Sequence, residues 1–155
     1  MTSRLQGRLG YTLIEILTTI GVLGILLAAV LPHLDTRRQD LETTMQSLIG
    51  DLRVARAKSI STGVHYSVDR TDTGHYLLQR HVDAGNGTWP VDSVVKTVTL
   101  PPTVQFFMWP DDIEFNTRGL LVTPSFPVVG IIGDLGTSTW HGVDIWPSGQ
   151  VNESW

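Results

Sequence analysis

The stretch from Gly10 to Leu34 reads GYTLIEILTTIGVLGILLAAVLPHL, and from Tyr11 onward its only Asp, Glu, Lys or Arg is Glu15. Twenty-four residues at the helical rise of about 1.5 Å span about 36 Å, enough to cross a hydrocarbon core of about 30 Å. Arg4 and Arg8 lie before it in a short polar stretch. The positive-inside rule puts that end in the cytoplasm and everything from Asp35 onward across the membrane. Three ordinary readings compete: a cleaved secretory signal, a plain membrane anchor, and a core helix of a soluble protein. A secretory signal has a shorter apolar region that ends in a small-x-small site. Ala28-Ala29-Val30 is a poor version of that site, and the apolar run continues to Leu34. Glu15 is awkward for all three readings. A carboxylate in an apolar helix costs about 2.5–3.5 kcal/mol at the helix centre and less near the end, where this one sits. Arg8 is two turns away and nothing basic follows until Arg37, so the partner of Glu15 has to come from cleavage or from another subunit.

Gly10-Tyr11-Thr12-Leu13-Ile14-Glu15 resembles the class III signal of type IV pilins and type II secretion pseudopilins, usually written G-F-T-L-I-E. The resemblance implies that a prepilin peptidase cuts between Gly10 and Tyr11 on the cytoplasmic face and methylates the new amine of Tyr11. Tyr11 stands where the family usually has Phe, and both are aromatic. Glycine before the cut leaves the peptidase unobstructed, and the freed amine is a cation at the membrane boundary. In the family, Glu15 would neutralise the corresponding amine of a neighbouring subunit, a pairing that gains strength in low dielectric. Pro32 removes one backbone hydrogen bond, and a kinked continuation of the helix is expected there. Pilin helices commonly carry a proline near this depth.

Outward from this segment, apolar residues recur at Leu41, Met45, Leu48, Ile49, Leu52, Ala55 and Ile60, with charges between them. That spacing predicts one helical face, ending near Ser61 to Gly63. Then the period changes to two. Val64 to Asp69 and His75 to Val82 read as a hairpin about a Thr71–Gly74 turn, followed by a loop from Asp83 to Pro90. Further strands are expected at Val94–Leu100, Val104–Met108, Ile113–Asn116, Leu120–Thr123, Val128–Ile132 and Val143–Trp146. The fold class is therefore α+β, a long N-terminal helix on an antiparallel β domain. Its parts are a leader at 1–10, a transmembrane or filament-core helix at 11–34, an amphipathic continuation at 35–62 and a periplasmic β domain at 63–155. Within the pilin-like families the globular part resembles the GspH/FimT type through Asp51–Ile60 leading to Gly63, Ile113–Gly119, and Val143–Val151. Gln150 departs from the basic residue common after that last glycine.

The chain has 155 residues, no Cys and a net charge of −4, which limits it to one ordinary domain and excludes disulfide frameworks, Cys-ligated zinc and thiol chemistry. His65, His75 and His81 fall on the hairpin. His75 and His81 lie about 20 Å apart along one strand, too far to share an ion, and exposed sheet positions explain them. No nucleophile motif appears, so no enzyme activity, catalytic residue, metal or cofactor is expected. Asp111, Asp112, Glu114 and Asp134 could offer oxygens to calcium but lack loop spacing, and a solvated acidic turn accounts for them. Trp89, Trp109 and Trp146 each precede proline and are read as loop anchors. After loss of Arg4 and Arg8, nine Lys and Arg face fifteen Asp and Glu. Nucleic acid therefore ranks below a structural role, with Arg53, Arg56 and Lys58 as the one dense basic group. The expectation is a minor, H-like pseudopilin of type II secretion, processed by prepilin peptidase. It would be anchored in the bacterial inner membrane with its N-terminus cytoplasmic, and assembled with other pilin-like subunits in a periplasmic filament. The alternative is a minor pilin of a type IV pilus, including a FimT-like DNA receptor in natural transformation.

Overall fold

The structure is a computed structural model. It describes residues 12–110, 112–122, 127–136 and 138–154, with the side chains of 30–35 excepted. Gly10, Tyr11 and Asp111 lie outside the described residues, and the kink expected at Pro32 falls on the excepted side chains.

One helix, α1, runs Leu13–Thr62. It belongs to two compact units, 1–36 and 37–155. In the second unit, Leu41, Met45, Leu48, Ile49, Leu52 and Ala55 are buried, on the single face that their spacing of three and four defines. Ile60, expected on that face, is 52% exposed because the last turn overshoots the core. Gly63, with φ +68°, takes the left-handed cap that stops the helix, and its N–H donates to the Ser59 carbonyl at 3.1 Å.

Eight strands follow: β1 Tyr66–Arg70, β2 His75–His81, β3 Val91–Thr99, β4 Val104–Met108, β5 Asp112–Phe115, β6 Val128–Asp134, β7 Trp140–Ile145 and β8 Val151–Ser154. They form two four-stranded antiparallel sheets, ordered β3-β2-β1-β5 and β4-β6-β7-β8. Alternation sends Tyr66, Val68, Tyr76, Leu78, Ile113 and Phe115 of the first sheet inward. Val104, Phe106, Ile132, Val143, Ile145 and Val151 do the same in the second, and one core joins both sets to the helix face. Burial at about 25 cal/mol per Å² makes this core the main stabilising term of the unit.

The hairpin, β4, β5 and the start of β6 lie where the alternation predicts, and four elements differ, the first being β7, which begins at Trp140 rather than Val143. Leu120–Thr123 was expected as a strand. Among its described residues only a single bridge, Phe115 to Leu121, forms, because Leu121 bonds to the Pro147 carbonyl while Val122 bonds to Glu114, so no ladder can propagate. β8 was not anticipated, since Val151-Asn152-Glu153-Ser154 offers one apolar residue to read. β3 begins at Val91 rather than Val94, because the strand shifts register against β2 at two points and accommodates the extra residues.

Candidate functional site

Apart from Glu15, Thr18 and Thr19, residues 13–29 of α1 are apolar, and they are exposed on every side, Leu13 at 77%, Ile20 at 63% and Leu27 at 60%. A helix apolar all round has no face for water and requires lipid or other helices around it. Among the described residues no helix is long and apolar enough to cross a membrane; the run continues in sequence through residues 30–34, whose side chains are excepted. At its start Thr12 is the N-cap: its Oγ1 accepts the Glu15 N–H at 3.3 Å, and its carbonyl accepts Glu15 N and Ile16 N. Thr12-Leu13-Ile14-Glu15 thus has the spacing of a capping box, a signal available in the sequence and missed there. Glu15 sits in the first turn, where the helix dipole favours a carboxylate. Thr18 and Thr19 turn their hydroxyls onto the Glu15 carbonyl at 3.0 and 2.7 Å, which hides polar groups that an apolar surrounding would penalise.

In the second unit the three segments that carry the GspH/FimT resemblance converge on Arg56. Its guanidinium donates to the Gly119 carbonyl at 3.1 Å and to the Ser148 carbonyl at 2.9 Å. Gly149, at φ +76°, lies so close to the Gly119 carbonyl and the Arg56 Nε that a side chain there would collide with both. Arg53 donates to the Val151 carbonyl at 3.3 Å, and Lys58 stands 5.8 Å from the centre of the Tyr66 ring. Two members of the basic group are therefore bonded to their own backbone, which weakens the case for a nucleic-acid grip.

The histidines need correction. His65 and His81 are buried, not exposed, because the loop after β2 folds back and lays Trp89 flat on His65, with centroids 3.7 Å apart. His81 bridges the Trp89 carbonyl and Ser67 Oγ, each at 2.8 Å, and His65 Nδ1 meets Glu114. With its Nδ1–H donated to a carbonyl, a neutral His81 accepts a hydrogen bond from the Ser67 hydroxyl at Nε2. Ser67 is fully buried, so this pair stands out of reach of any substrate. His75 instead pairs with Asp72 in the hairpin turn, at 2.8 Å.

The acidic residues do not converge. Asp134 is buried and caps the Gly136 N–H at 2.8 Å. Asp112 lies opposite Asp69 across β1 and β5. Burial, the hydrogen bond to Asp69, then the charges of Asp69 and Glu114 push its carboxyl up to about 8, which favours a shared proton. Among the described residues no group of three His, Cys, Asp or Glu could hold a metal ion. Asp51 is buried beneath Tyr76 and Lys96, which donate to it at 2.7 Å; burial, then the neighbouring Asp51 carboxylate, push the Tyr76 hydroxyl up. Trp109 anchors its loop as expected, buried over Gly130, but Trp146 is 46% exposed.

No protein-family profile and no curated protein matches the chain. The fold does match solved structures. The type IV minor pilin FimU of Pseudomonas aeruginosa aligns with a TM-score of 0.62 at 16% identity, over 77% of this chain and 92% of that one. The minor pseudopilin EpsH from the type 2 secretion system of Vibrio cholerae aligns at 0.56 and 17% identity, over 74% and 96%. The fold is pilin-like, α+β.

Proposed function

We propose that the chain is a minor subunit of a pilin-like filament, cleaved after Gly10, methylated on Tyr11, and anchored in the bacterial inner membrane with residues from Asp35 onward in the periplasm. The observation that carries this reading is an apolar helix, exposed on every side and opened by Thr12 and Glu15, on a domain of pilin-like fold. Its work is assembly. The apolar half of α1 packs among the helices of neighbouring subunits, and Glu15 selects register by meeting a neighbour's methylated amine in low dielectric. Within this class the first reading is an H-like pseudopilin of type II secretion, which the likeness to EpsH supports. A minor pilin of a type IV pilus is the second, supported by the larger overlap with FimU. A DNA receptor ranks third, given the acidic balance and the engaged Arg53 and Arg56.

Co-expression with a prepilin peptidase, followed by intact mass and N-terminal sequencing, tests the processing. The expected product begins at methylated Tyr11. Glu15→Ala should be processed and folded yet fail to enter filaments. A chain left uncut, or cut beyond Ala29, refutes the reading.

A further inference from the structure

The outer face of the β4-β6-β7-β8 sheet carries a groove of about 310 Å³, lined by the apolar Phe107, Met108, Val129, Ile131 and Trp140 and, at one end, by His141, Gly142 and Ser154. Phe107, Met108, Val129 and Trp140 are all at least 40% exposed. The backbone builds this groove deliberately. A bulge in β4 pairs Phe106 with Ile132 and Met108 with Ile131, so Phe106 stays in the core while both Phe107 and Met108 reach the outer face. Gly133 leaves room for the two rings: a Cβ there would stand 2.7 Å from Trp140 and 2.9 Å from Phe107. The rings meet edge to face with centroids 3.9 Å apart, forming a wall that no other element of the described chain covers.

Charge at the rim selects the occupant. Asp144 is the direct cross-strand partner of Val129, so it stands on the same face beside the groove, about 7 Å along the strand from the groove residue Gly142. No Lys, Arg or His pairs with it among the described residues. The strands of this sheet contribute no Lys or Arg at all. The one basic side chain lining the groove, His141, already lies 3.3 Å from Glu153, so the same face of a second copy would bring acid to Asp144 without a free Lys or Arg, and like charges facing each other oppose such pairing.

We propose that this face docks a different protein, through a segment that places one bulky apolar side chain in the groove and a Lys or Arg two residues further along an extended backbone, against Asp144. The two-residue step matches the distance between successive same-face positions of a strand. The apolar anchor supplies the desolvated centre and the ion pair supplies orientation. The proposal uses neither Glu15 nor the processing motif, so it stands or falls independently of the N-terminal reading.

The test uses the full chain, labelled with fluorotryptophan and held in phospholipid nanodiscs, with the Trp140 resonance assigned by Trp140→Phe. The probes are two acetylated, amidated peptides, Gly-Thr-Phe-Thr-Arg-Thr-Gly and its twin with Glu in place of Arg. The Arg peptide should shift the Trp140 resonance at millimolar concentration or below, and the Glu twin should bind about tenfold more weakly. Asp144→Lys, a change at a half-buried position on the outer face of β7, should reverse that order. Equal binding of the two peptides, no shift of Trp140 by either up to several millimolar, or a shift driven by concentration of the chain alone would each overturn the proposal, the last in favour of self-association.

Discussion

Leu17 and Leu48 belong to the same helix and have the same side chain, yet one is 61% exposed and the other fully buried. The first half of α1 is apolar around its whole circumference, while the second is apolar on one face and charged or polar on the others. Each half is therefore written for a different surrounding. The second finds its apolar partner within its own chain, in the two sheets. The first finds none among the described residues and depends on lipid or neighbouring helices. Helical propensity is common to both, and only the distribution of apolar residues tells which half is finished within the chain and which is completed by others.

Leu48→Ala and Leu17→Ala sharpen that contrast most. The first should destabilise the unit formed by 37–155 by about 2–5 kcal/mol, and the second should leave it within about 0.5 kcal/mol, both read by denaturant melts. Equal losses would break the contrast. Gly149→Ala comes next: a Cβ there meets the Gly119 carbonyl at a positive φ, and a loss of about 2–3 kcal/mol is expected. Gly63→Ala, with a similar φ but open space around it, should cost about 1 kcal/mol. Arg56→Ala removes charged donors from two carbonyls and should cost about 1.5–3 kcal/mol. Arg56→Lys should recover only part, because one ammonium cannot match the planar fork. The smallest effect belongs to Asp112, whose carboxyl is raised from 3.8 to about 8. The folded chain keeps a proton that the unfolded chain has already released. This contribution is complete below about pH 3.8 and lost as pH rises through 8. Asp112→Asn should match the parent near pH 4 and exceed it in stability above pH 8. The exposed place of Asp112 at the start of β5 should hold the gain below about 1 kcal/mol.

The helix, its capping glycine and the first hairpin were legible because each rests on a local pattern: spacings of three and four, then a turn between alternating runs. β8 was not, since its stability comes from pairing with β7 and from Arg53, neither of which leaves a mark in four residues. Leu120–Val122 looked like a strand by composition, but its hydrogen bonds divide between Glu114 and Pro147. His65 and His81 misled for a similar reason. Alternation read the histidines as exposed sheet positions, but the fold of Trp89 over His65 is a long-range event that no local pattern records. At the helix start, Glu15 stands out in the sequence through the cost of an unpaired charge, whereas the role of Thr12 shows only in the structure, where its hydroxyl accepts the Glu15 amide.

Arg53 reaches across 98 residues of chain to the Val151 carbonyl, and Gln46 across 107 to Glu153. The last strand is thus sewn to one of the first segments to be synthesised. Contacts of such separation form late, because the whole intervening loop must close before they contribute. These two contacts therefore form only once residues 151–153 are in reach of α1. The fastening of β8 to α1 is thus a late, clasp-like step in the closure of the second unit.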